Sequence, residues 1–256
     1  MSQNAVTTPN TTPPQSDDKF RDIEPDVIKR FSIKLNDLAL KRNVTSYAGS
    51  PLGSQDTVFA DYLLATNARF CLIEFKATKG NFSSENQKEL RVELFKLLAK
   101  RKDVLRRSLD LHYMCWGTDE FVCLPGMSAP VREENEMLGQ YAPCVAPYME
   151  TKPELTKAEE YPPESFVEHF FESQQFGSGL QRFRQYVKDL AKLPSDSKQD
   201  EGTLEGLVCI YIESVQKFKS YRFKGLQHLI NLLESPSQAL DSQKPDRSIK
   251  PRTMGK

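Results

Sequence analysis

Asp61, Glu74 and Lys76 are the residues whose types and spacing could do chemistry. They sit in two runs of β-type composition, TVFADYLLA (57–65) and RFCLIEFKA (69–77), separated only by Thr66, Asn67 and Ala68, which reads as a tight hairpin. With the loop centred between Asn67 and Ala68, residues whose numbers sum to 135 face each other, so Asp61 stands opposite Glu74 on one face. Alternation along the strand adds Lys76 to that face and turns Cys71, Ile73 and Phe75 to the other. Two opposed carboxylates in a partly buried sheet repel and need a positive partner, and a divalent metal is one. Mg²⁺ or Mn²⁺ takes hard carboxylate oxygens together with water and phosphate oxygens, and it acidifies a bound water. Lys76, a compact cation with three donors, could orient that water or offset charge on a reacting phosphodiester. The plainer alternative makes all three residues an ion-paired surface of an edge strand, worth a fraction of a kcal/mol.

The elements that must position these residues follow from composition and period. A first helix begins near Pro25 and carries Val27, Phe31, Leu35 and Leu38 on one stripe through Lys41. A short strand at 44–47 precedes the hairpin. After it, Ser83 or Ser84 caps a long helix with the stripe Leu90, Leu94, Leu97, Leu98 and Leu105, and LDLHYMCWG (109–117) reads as another strand. Residues 125–163, rich in Pro and acids, read as irregular. Helices resume at 164–175, break at Gly177 and Gly179 and continue to Leu193; the spacing of Leu204, Leu207, Tyr211, Val215, Phe218, Leu226, Leu229 and Leu233 predicts a further long or once-broken helix. The expected fold class is α/β, a mixed central sheet flanked by helices and followed by a helical C-terminal region. The organisation is a disordered tail (1–19), the α/β core (20–124), an irregular connector (125–163), the helical region (164–234) and a second disordered tail (235–256).

Asp61, twelve residues, then Glu74-Phe75-Lys76 resembles the acidic-x(n)-(Asp/Glu)-x-Lys core of the PD-(D/E)XK nuclease superfamily. The resemblance spans roughly 25–117, where the element order is also similar to the restriction-endonuclease-like core, and it leaves the C-terminal half unexplained. It departs from the commonest pattern in having Ala60 rather than Pro before the first acid. The resemblance implies that Asp61 and Glu74 bind Mg²⁺ or Mn²⁺ and that Lys76 assists the attacking water. Some branches place a catalytic Gln on the helix after the third strand, a role that falls on Gln87; Ser84 to Gln87 reads equally as a capping box. An additional acid from the first helix would be Glu24 or Asp37.

Lys plus Arg and Asp plus Glu both number 35, so no global positive field recruits nucleic acid and any such binding is local. The stretch 88–107 carries eight basic residues against three acidic ones, and Lys88, Arg91, Lys100, Arg101, Lys102, Arg106 and Arg107 are the candidate phosphate contacts. The wet face of an ordinary amphipathic helix would look the same. KFKSYRFK (217–224) interleaves aromatics with cations as base-stacking surfaces do, although helical spacing makes Phe218 a core residue first. The five cysteines form no CxxC pair, and His112, Cys115, Cys123 and Cys144 match no zinc spacing. Without a signal peptide or membrane-length apolar run, the expected location is cytoplasmic or otherwise intracellular, nuclear in a eukaryote. The functional expectation is a Mg²⁺-dependent nuclease, a DNA endonuclease of a restriction, phage-defence or mobile-element system. The alternative is a catalytically inactive nuclease-fold subunit that binds DNA, or docks a partner protein through the C-terminal helices.

Overall fold

The computed structural model describes residues 24–44, 46–52, 60–66, 68–173, 175–193, 205–212 and 217–234. The two tails at 1–19 and 235–256 and the stretch 194–204 lie outside the described residues, as do 53–59, which include the first three residues of the first hairpin run. No helix among the described residues is long and apolar enough to cross a membrane.

Helix α1 (Glu24–Lys41) buries the anticipated stripe Val27, Phe31, Leu35 and Leu38, with Ala39 added. Strands β1 (Ser46–Pro51), β2 (Tyr62–Ala65) and β3 (Phe70–Lys76) form an antiparallel meander. The β2–β3 pairs Tyr62 with Ile73, Leu63 with Leu72, Leu64 with Cys71 and Ala65 with Phe70 have the register read from the sequence. Strand β2 is shorter than the run 57–65 suggests, and Asp61 lies at the bend just before it. Strand β4 (His112–Val122) then pairs with β3 in parallel, and β5 (Val131–Gln140) returns antiparallel to β4. All seven residues of β3 are buried, as befits a strand with neighbours on both edges and helices on both faces.

The crossover from β3 to β4 differs from the single helix expected. It is a 3₁₀ segment (Lys79–Gln87), then α2 (Glu89–Lys100), then α3 (Lys102–Leu111), with extended backbone at Arg101 separating the two α-helices. Because α3 runs to Leu111, the strand expected from 109 begins only at His112. The stretch 125–163 is not irregular throughout, since it contains β5 and α4 (Tyr141–Val145); the Glu-rich composition of β5 hides a strand because its outer half is exposed. Helices α5 (Pro163–Glu168) and α6 (Leu180–Ala191) fall where expected, with a π-helical turn between 169 and 173.

The expected C-terminal helix is replaced by β6 (Glu205–Ile212), β7 (Lys217–Lys224) and only then α7 (Leu226–Glu234). Leu207 and Tyr211 have helical spacing while Val208, Ile210 and Ile212 alternate with period two, and pairing of β6 with Ser46 and Tyr47 of β1 decides for strand. The five strands β5-β4-β3-β2-β1 are thereby extended to a seven-stranded mixed sheet, so 164–234 is not an all-helical region.

One face of the sheet, carrying Tyr62, Leu64, Ile73, Phe75 and Tyr113, packs on α1 and α5. The other, carrying Leu63, Leu72, Met114 and Trp116, packs on α2, α3, α4 and α6. Phe31 is fully buried on the first face and meets Tyr62 and Phe75 edge-on at 5.8 and 5.5 Å between ring centroids. Phe31→Ala should cost about 3–5 kcal/mol in urea denaturation through the cavity it leaves; a loss under about 1 kcal/mol would show that α1 is not tied to the sheet in this way.

Candidate functional site

Glu74 and Lys76 project from the C-terminal end of β3 on the α2 side of the sheet, and Asp61 joins them from the opposing chain. The Phe75 N–H donates to Asp61 Oδ2 at 2.5 Å, which pins that carboxylate against the end of β3. Glu74 has no exposed surface and Lys76 is 4% exposed, so the surface-strand alternative does not describe them. Lys76 and Asp61 border a cleft of about 610 Å³ lined also by Glu24, Ala77, Asn81, Ser84, Lys88, Glu89 and Leu90, and Glu74 lies buried behind them. Of the two first-helix acids considered, Glu24 borders this cleft, 3.6 Å from Lys76 Nζ, and Asp37 does not.

Three cations neutralise Glu74. Lys88 Nζ lies 2.8 Å and Lys76 Nζ 3.3 Å from its Oε1, and an Arg91 guanidinium nitrogen lies 2.9 Å from its Oε2. A second buried carboxylate, Glu85, sits beside it: its Oε1 is 3.2 Å from Lys76 and 2.8 Å from Lys88, and its Oε2 accepts from the Tyr141 hydroxyl at 2.7 Å. Behind Tyr141, His112 stacks on its ring at 4.2 Å with 5° between planes, and His112 Nδ1 meets the Tyr186 hydroxyl at 2.9 Å. Burial lowers His112 to about 3, so it is a neutral wall of the site.

The two opposed carboxylates have unlike environments. Burial and then the nearby charge of Glu74 push Asp61 up to about 8. Burial alone would raise Glu74 too, but Arg91, Lys76 and Lys88 hold it well below the usual carboxylate range. Burial would likewise lower Lys76, yet Glu74 and Glu85 raise it, so it is a firmly charged ammonium and no proton acceptor.

Gln87 is exposed and does not line the cleft. In a 3₁₀ segment side chains three apart share a side, so Phe82 and Glu85 point inward and Gln87 outward. Phe82 anchors the segment edge-on against Trp116, with 5.1 Å between ring centroids, and thereby carries Glu85 into the site. The capping arrangement also falls elsewhere, with the Thr78 N–H donating to Asn81 Oδ1 at 3.0 Å.

Arg91, expected as a phosphate contact, is 1% exposed, because 91, 94, 95 and 98 form the inner face of α2. Lys88 belongs to the cleft. Arg101 pairs with Asp103, and Arg107 with Asp103 and Asp189. Lys100, Lys102 and Arg106 are exposed and make no ion pair among the described residues. In KFKSYRFK, Tyr221 and Phe223 are buried, whereas Lys219, Arg222 and Lys224 are exposed along β7.

Among the described residues no group of three or more His, Cys, Asp or Glu side chains is arranged to hold a metal ion. The paired carboxylates Asp61 and Glu74 are nonetheless the hard-oxygen donors that Mg²⁺, which keeps several waters, requires in ones or twos. No family model, no curated protein and no solved structure matches the chain.

Asp61 has a folded-state pKa above its unfolded value near 3.8, so its contribution to stability is fully present below pH 4 and is lost as pH rises toward 8. Asp61→Asn keeps an acceptor for Phe75 N–H and cannot ionise. In metal-free buffer the stability of Asp61→Asn minus wild type should therefore increase between pH 4 and 8 and level off above it. A pH-independent difference in thermal melts would mean that Asp61 titrates normally.

Proposed function

We propose that the chain is a Mg²⁺- or Mn²⁺-dependent nuclease of restriction-endonuclease-like fold, cleaving phosphodiester bonds in DNA at the Asp61–Glu74–Lys76 cluster. The observation that carries this reading is the convergence of two carboxylates and a buried lysine at the end of β3, with Asp61 and Lys76 bordering an open cleft and Glu74 directly behind them. A stability motif has no need of a carboxylate whose pKa is raised by burial and then by another carboxylate beside it. The setting in restriction, phage defence or mobile-element biology is an analogy with the superfamily that the motif resembles.

A divalent metal bound by Asp61 and Glu74 would polarise the phosphodiester and acidify the attacking water. Lys76, held charged by Glu74 and Glu85, acts as a donor: it orients the water or a phosphate oxygen and offsets charge in the transition state. Arg91 and Tyr141 act at one remove, fixing the carboxylates of Glu74 and Glu85 that in turn aim Lys76. Lys100, Lys102 and Arg106 supply sequence-independent backbone contacts.

A second reading has support from one observation. Glu74 is already saturated with cations, so the cluster could serve as a buried structural network in a catalytically inactive subunit that binds DNA or a partner protein.

Plasmid DNA incubated with Mg²⁺ or Mn²⁺ separates these readings. Cleavage should depend on metal and fall at least about 100-fold in both Asp61→Ala and Lys76→Ala, the scale of losing a transition-state donor. Equal inactivity of wild type and variants, with intact folding, would favour the inactive subunit. Replacing Lys100, Lys102 and Arg106 together by Gln should weaken DNA binding and reduce the slope of log affinity against log salt by about 3; an unchanged slope would remove them from the interface.

A further inference from the structure

Lys88 stands apart from the other two cations of the cluster. Its side chain is 45% exposed and lines the cleft, whereas the side chains of Lys76 and Arg91 are 6% and 1% exposed. Its Nζ nevertheless sits 2.8 Å from Oε1 of both Glu74 and Glu85, the shortest cation contacts that either of those oxygens makes. Glu74 Oε1 has two lone pairs, and Lys76 and Lys88 occupy both. A metal that bridges Glu74 Oε1 and Asp61 therefore needs the place of one ammonium group.

We infer that Lys88 holds, in the metal-free protein, the cation position that a divalent metal takes, and that metal binding releases it to contact the phosphate of the substrate. This rests on the nuclease reading given above. Charge balance favours the exchange. Glu24, Asp61, Glu74 and Glu85 present four carboxylates to three cations. With those carboxylates ionised, a divalent ion added while Lys88 stays paired leaves an excess of one positive charge, and withdrawal of Lys88 restores neutrality. Solvation also selects Lys88, because its partly exposed side chain regains water on leaving, whereas the side chains of Lys76 and Arg91 are nearly buried and each also holds a second carboxylate, Glu85. Lys88 immediately precedes α2, at the cleft wall where Glu89 and Leu90 also lie, so the released amine faces the space open to a phosphodiester. Lys88 is thus a placeholder in one state and a substrate-positioning residue in the other.

The test is Mn²⁺ binding to the full chain by isothermal titration, with Lys88→Met and Asp61→Asn beside wild type. Lys88→Met should bind Mn²⁺ about tenfold more tightly and, at saturating Mn²⁺, bind DNA more weakly, while Asp61→Asn should lose Mn²⁺ binding. A Mn²⁺ affinity of folded Lys88→Met equal to or below that of wild type overturns the inference while leaving the metal site standing. No Mn²⁺ binding by wild type overturns the inference together with the nuclease reading. A measurement needing no variant is amine acylation followed by mass spectrometry. Lys88 should be labelled several-fold faster with saturating Mn²⁺ than in chelator, and unchanged labelling despite bound Mn²⁺ also overturns the inference.

Discussion

A carboxylate with no exposed surface in the middle of a sheet is the constraint around which this half of the molecule is arranged. Glu74 is fully buried on the central strand β3, and an isolated charge there would cost several kcal/mol even after the protein relaxes. It is tolerated because three different segments each deliver a cation to it: β3 itself through Lys76, the 3₁₀–α2 junction through Lys88, and the inner face of α2 through Arg91. The second carboxylate, Glu85, then ties these cations together and is itself held by Tyr141 at the start of α4. Position and identity of the crossover between β3 and β4 are thus coupled to one side chain.

Such a network makes the unlike behaviour of Asp61 and Glu74 intelligible. Arg91 and the two lysines gather around Glu74, while Asp61 receives a single backbone N–H from Phe75 and the repulsion of its neighbour. Two chemically similar groups are thereby separated, Asp61 pushed up by burial and then by the charge of Glu74, and Glu74 held down by its three cations. Proximity of like charges, wasteful in a purely structural sheet, becomes useful where a cation is to be recruited. The opposite face offers a contrast: Glu136 on β5 is almost as buried, but Arg30 and Lys34 of α1 meet it, its cross-strand partner is Gly117, and it lines no cleft described above.

Much of this was legible where the governing physics is local. The α1 stripe and the β2–β3 register follow from period and turn geometry, and Asp61, one residue before the paired segment, meets the Phe75 N–H at the end of β3. What escaped depends on partners distant in the chain or on an unusual period. KGNFSSENQ reads as a cap because Ser and Asn compete for backbone groups, and only its period of three selects Glu85 over Gln87. Arg91 reads as solvated because an arginine on a helix usually is, although its spacing to Leu94, Phe95 and Leu98 is that of the buried face. Tyr141 is 56 residues from Glu85 and carries no local mark of its role. At the C-terminal end, apolar spacing compatible with both periods was settled by a strand partner from β1, a tertiary choice that composition does not record.

The central claim is that the Asp61–Glu74 pair is a divalent-cation site. Anomalous diffraction from crystals soaked in Mn²⁺ tests it most directly. The account predicts one strong peak within about 2.5 Å of carboxylate oxygens of both Asp61 and Glu74, absent from crystals of Asp61→Asn. A map with no peak there, and Lys88 still bridging Glu74 and Glu85 at saturating Mn²⁺, would contradict it.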